Sequence, residues 1–520
     1  MFSKIKTFLV LFLLIVLSAC KNSLKQDAMK KETDRAYYTE AHRPQYHFSP
    51  ETKWMNDPNG LVHHQGVYHL FYQYYPEDIV WGPMHWGHAT SKDMLHWEHK
   101  PIALFPDKHG YIFSGSAVVD HKNTSGFGSL ENPALVAIFT YHLMEGEKAG
   151  RTDYQTQGIA YSLDNGDSWT VYKGNPVIGN PGIKDFRDPK VFWNEQTQAW
   201  TMLLVAGDHL QIWGSDNLIE WEQQSEFGKD QGAHGGVWEC PDLFPLPLDG
   251  ASAADAQQWV LFISINPGAP NGGSGTQYFI GDFDGKTFSS DQQEPLWVDG
   301  GTDNYAGVTY NDAPDGSRLF IGWMSNWNYA QVTPTQAWRS AMTLPRTLHL
   351  ESVNGQPRLV SKPLAVHNPS NGSKTNYEVP VEDILLLESE DLNQSQIRFN
   401  WDGSAINLDF TNEEGQVLSL SLDKEEKTMS LDRSQSGYVG FEDRFKNDQE
   451  MSWTPLEGEN EVNIYMDASS IEVFVNGGQS VLTAQFFPLM PYQTLTFSQP
   501  GSTALKLEQF EIRLIPSIWR

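Results

Sequence analysis

Three short segments carry a carboxylate at a position where a strand is predicted to begin. They are 54–60 (WMNDPNG) with Asp57, 186–189 (FRDP) with Asp188, and 238–241 (WECP) with Glu239. Hydrolysis of an acid-labile sugar bond needs such a set: one carboxylate attacks, one donates and accepts the proton, and one holds the sugar. For each segment taken alone, a turn-forming acid at a strand start is the alternative interpretation.

The composition indicates a large protein with many aromatic side chains. At 520 residues the chain is too long for one ordinary core, so two domains are expected. Its 18 tryptophans suit stacking on sugar faces, although large β cores also use tryptophan. The formal net charge of −29 argues against nucleic acid or an anionic membrane surface as a partner.

The first 40 residues are predicted to lie outside the fold. Lys4 and Lys6 precede an apolar run at 8–17 that ends in Leu-Ser-Ala-Cys, which is typical of a secretory leader and resembles a bacterial lipobox. Residues 1–20 are therefore predicted to be a lipoprotein signal peptide, with lipidation at Cys20 as the sole link to a membrane. A plain signal peptide or a short membrane anchor is the alternative. The polar residues 21–40 are predicted to form a flexible tether. The leader and the anchor together predict a location outside the cytoplasm, facing the periplasm or on the cell surface.

The chain has two cysteines, Cys20 and Cys240. If Cys20 carries lipid, a disulfide and a cysteine-based metal site are both excluded, and Cys240 is expected to lie buried beside Glu239. His85 and His88 belong to a histidine cluster whose spacing matches no strong ligand motif. No metal and no cofactor are therefore expected.

Residues 45–345 repeat one pattern five times: an apolar strand, a polar turn and a second apolar strand. The five copies are 61–73, 116–141, 191–206, 243–265 and 308–323. A second element, a short strand followed by a turn that an aromatic residue closes, follows the first four copies. Together they predict four-stranded units arranged radially, a five-bladed β-propeller over residues 41–350. A β-sandwich does not explain the paired repeat.

The first strand of each predicted blade lines the central channel. Asp57, Asp188, Glu239 and Asp303 each stand at the head of such a strand, and Ser114 holds the equivalent place in the second blade. The four acids are therefore expected to converge at one mouth of the channel, although they are far apart in sequence.

The residue pattern of the sequence changes in the C-terminal part. Alternating strands are predicted at 397–399, 406–410, 418–422, 462–466, 471–475 and 505–514. Asn476-Gly477 is a hairpin turn signal. Residues 365–520 are therefore predicted to form an antiparallel β-sandwich, which makes the whole protein all-β.

Four segments together resemble the signatures of glycoside hydrolase family 32, which includes invertases, inulinases and levanases. They are 54–60 (WMNDPNG), 113–116 (FSGS), 187–189 (RDP) and 239–241 (ECP). The C-terminal segment 467–474 (DASSIEVF) is also similar to that family. The resemblance covers nearly the whole mature chain and implies a propeller followed by a sandwich.

The resemblance implies a role for each acid. Asp57 is expected to attack the anomeric C2 of fructose, Glu239 to act as general acid and then base, and Asp188 to hold fructose hydroxyls. Configuration is retained in this family, which requires nucleophile and acid about 5–5.5 Å apart. Asp57 should receive backbone or asparagine donors, whereas the pKa of Glu239 should be raised by burial and neighbouring carboxylates. Arg187 should offset part of this negative charge.

The resemblance also implies a fructose subsite. The expected substrate-binding residues are Asn56, Gln73, Trp81, Phe113, Ser114, Arg187, Tyr305 and Trp323. Among these, Trp81, Phe113 and Trp323 match apolar walls. The segment 303–306 (DNYA) departs from the usual Asp-Phe-Tyr-Ala at Asn304, which puts the local packing in question.

The resulting expectation is a fructan β-fructosidase that releases fructose from the non-reducing end of levan or inulin and also cleaves sucrose. An endo-levanase or a fructosyltransferase of the same fold, and a non-catalytic fructan-binding lipoprotein, remain as alternatives. A sialidase-type propeller needs an arginine cluster and a Tyr–Glu pair, which these motifs do not supply. Linkage preference, exo or endo action and oligomeric state stay open.

Overall fold

The computed structural model describes residues 38–250, 257–364, 374–380, 384–500 and 504–519. Within these ranges the chain is almost wholly β-strand, with one short helix, α1 (Met144–Lys148). Helical turns of the 3₁₀ type occur at Pro314–Gly316, Ala330–Val332, Leu392–Gln394, Asp443–Lys446 and Asn476–Gly478. None of the helices in these ranges has the length and apolarity to cross a bilayer. Cys20 and the predicted leader lie outside the described residues.

Five antiparallel sheets follow one another along residues 53–363. The first contains β1 (Lys53–His64), β2 (Val67–Tyr75), β3 (His85–Ser91) and β4 (Trp97–Leu104). The second contains β5 (Tyr111–Val119), β6 (Leu135–His142), β7 (Gln155–Ser162) and β8 (Thr170–Val171). The third contains β9 (Phe186–Asn194), β10 (Ala199–Ala206), β11 (Leu210–Ser215) and β12 (Glu222–Phe227).

The remaining two sheets are built in the same way and carry short additional strands. The fourth contains β13 (Val237–Pro247), β14 (Gln257–Asn266), β15 (Gly275–Phe283), β16 (Phe288–Ser289) and β17 (Leu296–Trp297). The fifth contains β18 (Tyr305–Thr309), β19 (Leu319–Met324), β21 (Ala341–Met342), β22 (Arg346–Val353) and β23 (Gln356–Pro363). The sequence placed the end of this domain at residue 350, and β23 extends the fifth sheet to Pro363.

The first strands of the five sheets close into a ring. β1 contacts β5 and β18, β5 contacts β9, and β9 and β18 both contact β13. Strand β20 (Trp338–Arg339) pairs in parallel with β1 and so joins the chain that follows β19 back to the first blade. Strand β6 is buried at every residue because neighbouring blades cover both of its faces, and its sequence (LVAIFTYH) is correspondingly apolar. The predicted five-bladed propeller is confirmed.

The C-terminal part is a sandwich of two six-stranded antiparallel sheets. One contains β24 (Thr375–Val379), β26 (Ser395–Trp401), β31 (Asn460–Asp467), β32 (Ser470–Val475), β33 (Ser480–Gln485) and β35 (Leu505–Leu514). The other contains β25 (Leu385–Glu388), β27 (Ala405–Thr411), β28 (Val417–Asp423), β29 (Thr428–Gln435), β30 (Gln449–Ser452) and β34 (Thr494–Ser498). Inward residues alternate with outward ones, as in β27 and β28, because the two inner faces share one core. The predicted sandwich strands are confirmed.

The sandwich packs against the propeller through buried charged side chains. Arg346 donates to Asp299 and Glu472, and Arg433 donates to Asp303. The two ends of the described chain also meet, since Tyr38 stacks on Trp519 with ring centres 3.8 Å apart. The last residues of the predicted tether 21–40 are therefore packed onto the fold.

Candidate active site

Every inner strand of the propeller carries a β-bulge at the same level. In each blade the inner strand advances three residues while the neighbouring strand advances two, as between Arg187 and Lys190 of β9. The residues inside the bulges are Asn56-Asp57, Phe113-Ser114, Asp188-Pro189, Cys240-Pro241 and Ala306-Gly307. A bulge bends the strand and re-aims its side chains, so the five bulges direct these segments into one mouth of the channel.

The local sequence explains why the bulges form here. Proline lacks an N–H for the strand ladder and is tolerated in sheets at edges and bulges, where Pro189 and Pro241 stand. Asp188 and Cys240 have positive φ angles of 62° and 43°. This conformation is uncommon for residues other than glycine, and such strain concentrates at functional sites.

The mouth holds a pocket of about 230 Å³. It is lined by Asn56, Asp57, Gln73, Trp81, Phe113, Ser114, Arg187, Asp188, Glu239, Asn266, Trp327 and Gln331. Nine of the eleven residues predicted as catalytic or substrate-binding thus come together, although they derive from four different blades.

Asp57 is held by polar donors from two blades. Asn56 Nδ2 donates to Asp57 Oδ1 over 3.1 Å, and Ser114 Oγ donates to Asp57 Oδ2 over 2.7 Å. Asn56 is itself fixed by the indole N–H of Trp54, which donates to Asn56 Oδ1 over 2.8 Å. The expectation that an asparagine donates to Asp57 matches this geometry.

Glu239 is the acid most suited to keep a proton. Its Oε1 lies 3.2 Å from Nη2 of Arg187, and its Oε2 accepts a hydrogen bond from the hydroxyl of Tyr305. Burial raises the pKa of Glu239 to about 7; Asp188 and Asp57 add to the rise, while Arg187 and Tyr305 oppose it. A carboxyl that is protonated near neutral pH can act as a general acid.

Asp188 lies deepest of the three acids, with 5% of its surface exposed. Its Oδ2 accepts the backbone N–H of Cys240 over 3.0 Å, and its own N–H donates to Thr140 Oγ1. Burial raises the pKa of Asp188 to about 6; Arg187 and the Cys240 donors oppose the rise, and Asp57 adds to it.

The side chain of Cys240 lies between Asp57 and Asp188. Its sulfur lies 3.6 Å from Asp57 Oδ2 and 3.6 Å from Asp188 Oδ2, so these two oxygens are separated by no more than twice that distance. The thiol is buried, and burial first, then the three neighbouring carboxylates, raises its pKa well above the ordinary value. Cys240 is therefore a neutral thiol that packs between the acids.

Aromatic rings and one amide complete the pocket. The rings of Trp81 and Phe113 meet edge to face, and Phe113 stacks on His142 with ring centres 4.2 Å apart. Gln73 is 2% exposed, and its Nε2 has no hydrogen-bond partner within the described parts of the chain. A buried donor that lines a pocket and lacks a partner is suited to a ligand hydroxyl.

Two predicted subsite residues, Trp323 and Tyr305, do not line the pocket. Trp323 belongs to β19, the second strand of its blade, and is fully buried, so it is not a wall of the pocket. Its ring centre lies 5.0 Å from that of Trp327, which forms the wall instead. Tyr305 is also fully buried, and its hydroxyl donates to Glu239, so the geometry places it beside the acid and outside the pocket lining.

Sequence reasoning missed Trp327, Asn266 and Gln331. Trp327 follows the end of β19, and Asn266 is the last residue of β14. Strand ends at the mouth side of a propeller are where loop residues reach a ligand, and this position is the signal that would have indicated them.

Asp303 does not join the other acids, contrary to the sequence expectation. Its Oδ2 accepts from Nη1 of Arg433 in the sandwich over 2.8 Å, because the chain before β18 runs along the domain interface. The neighbouring Asn304, which departs from the usual residue, donates to Asp299 Oδ2 over 3.0 Å and belongs to the same interface.

The profile of the glycosyl hydrolases family 32 N-terminal domain matches residues 47–363, and that of the family 32 C terminal matches residues 365–513. The chain belongs to glycoside hydrolase family 32. It is therefore a glycosidase, with the propeller and sandwich of that family.

Relatives named as levanase and exo-inulinase match most of this chain. A levanase of Bacillus subtilis (strain 168) is 45% identical over 499 residues, which cover 94% of this chain and 72% of that protein. An extracellular exo-inulinase of Aspergillus niger is 42% identical over 490 residues, covering 87% and 90% of the two chains.

Solved structures agree with the sequence relatives. The crystal structure of an exo-inulinase from Aspergillus awamori matches with a TM-score of 0.83 at 37% identity, covering 93% of this chain and all of that one. A fructofuranosidase from Schwanniomyces occidentalis, complexed with fructose, matches with a TM-score of 0.84 at 31% identity, covering 93% and 100%.

Proposed function

We propose that this protein is a retaining, exo-acting β-fructosidase that releases fructose from the non-reducing ends of levan or inulin and also cleaves sucrose. The observation that carries the proposal is the meeting of Asp57, Asp188 and Glu239 in one small pocket with aromatic walls. The fructan-degrading and fructoside-degrading names of the relatives support the substrate class.

The first step forms a covalent intermediate. The Asp57 carboxylate attacks C2 of the terminal fructosyl unit as the C2–O bond to the leaving group breaks, and Glu239 transfers its proton to the departing oxygen. Asp188, with one oxygen held by the Cys240 N–H, is placed to accept from fructose hydroxyls. The negative charge around C2 stabilises the oxocarbenium-like transition state.

The second step releases fructose. Glu239, now ionised, takes a proton from water, which attacks C2 and breaks the bond to Asp57. Arg187 lies 3.2 Å from Glu239 and stabilises its ionised form in this half of the cycle. Because C2 undergoes two displacements, the configuration at C2 is retained.

The size of the pocket favours exo action. A volume of about 230 Å³ suits one sugar unit, and Trp81 and Trp327 both belong to its lining. An endo enzyme needs an open cleft that accepts chain on both sides of the cleaved bond, so we assign the pocket to the terminal fructosyl unit.

The cellular location is part of the proposal. The names of the relatives include extracellular exo-inulinases, and we propose that this enzyme also acts outside the cytoplasm. We further propose that Cys20 carries a lipid anchor, as its lipobox-like context indicates. Metabolic labelling with a radioactive fatty acid tests the anchor: wild type should be labelled and Cys20→Ser should not, whereas equal labelling would contradict it.

A time course with levan, inulin and sucrose, followed by chromatography, tests the activity. Fructose should be the product from the first time points with all three substrates. Oligosaccharides that precede fructose would contradict exo action, and kestoses formed from sucrose in excess over free fructose would indicate a transferase. Binding without any product would indicate a fructan-binding protein instead of an enzyme.

A further inference from the structure

A second cavity, which we call the rear cavity, lies along the central channel from the catalytic pocket. Its volume is about 320 Å³, and nothing in the reaction above uses it. Strand β9 connects the two, because Asp188 lines the catalytic pocket while Phe192 and Trp193 line the rear cavity. At about 3.3 Å per residue, Asp188 and Trp193 stand roughly 16 Å apart along the strand.

A buried carboxylate forms part of the rear cavity. Asp242 has no exposed surface, and its Oδ2 accepts from the Thr309 backbone N–H over 2.6 Å and lies 3.1 Å from Lys190 Nζ. Its other oxygen, Oδ1, has no hydrogen-bond partner among the described residues. Buried carboxylate oxygens are normally paired, so Oδ1 is an unsatisfied acceptor in the wall of the rear cavity.

Two donors of the same cavity are also without partners. Within the residues that the structure describes, Arg318 Nε and the indole N–H of Trp193 make no hydrogen bond, and both side chains line the cavity. The residues that line the rear cavity therefore carry one unpaired acceptor and two unpaired donors, all three buried in its wall. A ligand that both donates and accepts hydrogen bonds is complementary to this set of groups.

The charges and rings of the lining narrow the class of ligand. The Lys, Arg, Asp and Glu side chains that line the cavity are Lys122, Lys190, Arg318, Glu195, Asp242 and Asp312. Three cations and three acids balance, so neither an anion nor a cation is favoured. Phe192, Trp193 and Trp200 supply apolar surface, and small-ligand sites of this type span about 300–1,000 Å³.

We propose that the rear cavity is a non-catalytic binding site for a neutral saccharide. Sugars present hydroxyl donors and acceptors around an apolar ring face, which matches the unpaired groups and the aromatic side chains. The choice of a fructose-containing ligand rests on the proposed function, whereas the neutral polyhydroxy class follows from the cavity itself. A fructan held there keeps the enzyme on its polymer between hydrolytic events.

Titration calorimetry with fructose compares wild type with Trp193→Ala. Wild type should bind two fructose molecules, and Trp193→Ala should bind one, or bind the second about tenfold more weakly, because the aromatic face is lost. Sucrose hydrolysis by Trp193→Ala should match wild type. Trp213→Ala is the matched control: Trp213 packs on the same core cluster and also has an unpaired indole N–H, yet it does not line the cavity.

A second variant keeps the test valid if Trp193→Ala does not fold. Lys122 and Glu195 are exposed at the rim, and Lys122 Nζ lies 4.0 Å from the ring centre of Trp193. The double variant Lys122→Ala, Glu195→Ala should retain the fold and weaken the second site by about tenfold, with catalytic-site binding unchanged.

Three results would overturn the inference: no second site for either fructose or glucose in wild type, two sites unchanged in both variants, or displacement of the second sugar by sulfate added to the titration. The first would mean that the cavity holds solvent alone. Glucose is titrated in parallel, so a second site specific for another neutral sugar is detected even if no fructoside is hydrolysed. Failure of the proposed function, seen as absence of hydrolysis, is thereby distinguished from failure of this site.

Discussion

Two clusters of buried charges are reached from one short segment of the chain, and they behave differently. Asp303 and Tyr305 flank Asn304, but Asp303 belongs to the domain interface and Tyr305 to the active site. At the interface, Arg433 donates to Asp303, and both oxygens of Asp303 accept further hydrogen bonds. In the catalytic pocket, the three carboxylates share a single lining arginine, Arg187, counted over the described residues.

The pKa shifts reflect how far neighbouring cations neutralise the buried carboxylates in each cluster. At the interface, burial alone would raise the pKa of Glu472, but Arg346 and His47 outweigh burial and hold it below the ordinary value. In the pocket, burial raises the pKa of Glu239 to about 7 and Arg187 does not cancel it. Acids whose charge is compensated hold the domains together, whereas an acid with too few cations retains the proton that hydrolysis requires.

The largest effect is expected from the two reacting acids. Asp57→Ala and Glu239→Ala should each lower kcat for sucrose by about 10⁴-fold or more, because each removes a step of the double displacement. Thermal unfolding should change little, since removing one of three neighbouring carboxylates also relieves their mutual repulsion. Activity of Glu239→Ala equal to that of wild type on a fructoside with a poor leaving group would contradict the assignment.

A substitution at the domain interface should instead lower the stability of the protein and leave its activity unchanged. Arg433→Ala leaves Asp303 buried without its cation and should lower the free energy of unfolding by about 3–5 kcal/mol, measured by denaturant titration. The specific activity of the folded fraction should stay at the wild-type level. Arg444→Ala is the control, because Arg444 is an exposed arginine whose hydrogen bonds join the sandwich to Asn328, and it should unfold like wild type. Equal effects of the two substitutions would contradict the comparison.

The pH profile of kcat/KM tests how the groups around Glu239 set its pKa. Activity should fall as pH rises through about 7, where protonated Glu239 loses its proton. Asp188→Asn removes a charge that raises the pKa of Glu239, so the fall should move to lower pH. Tyr305→Phe removes a donor that lowers this pKa, so the fall should move to higher pH. Shifts in the same direction for both variants would contradict the electrostatic account.

The smallest effect concerns the two tryptophans of the fifth blade. Trp327→Ala should raise KM for sucrose by roughly tenfold, because it removes a wall of the pocket. Trp323→Phe should leave KM unchanged and lower the melting temperature, because Trp323 is fully buried among Trp54, Tyr305 and Trp327. Steady-state kinetics and thermal unfolding separate the two roles. A raised KM for Trp323→Phe alone would restore Trp323 as a wall.

The sequence was sufficient for the architecture because the propeller repeats in space what it repeats along the chain. Strand–turn–strand copies at regular spacing predicted the blades, and the heads of the inner strands predicted where Asp57, Asp188 and Glu239 meet. Proline directly after or near these acids was a signal for the bulges, since proline is disfavoured inside a regular strand.

The remaining features depend on contacts between distant parts of the chain. Asp303 stands at a strand head like the catalytic acids, and its partner Arg433 lies 130 residues away in another domain. Trp323 and Trp327 are chemically the same, and only the packing of β19 against β1 and β18 decides which one reaches the pocket. The local sequence pattern predicts the strand to which a residue belongs. It does not predict the buried surface against which that strand packs.

The most direct test of the account is to trap the intermediate. Glu239→Ala, treated with an activated fructoside that needs no acid to leave, should accumulate a fructosyl-enzyme, because the base that activates water is missing. Digestion and mass spectrometry should then find one fructosyl unit on the peptide that contains Asp57. An adduct on the Asp188 peptide, or turnover without any adduct together with inverted configuration at C2 of the product, would contradict the assignment.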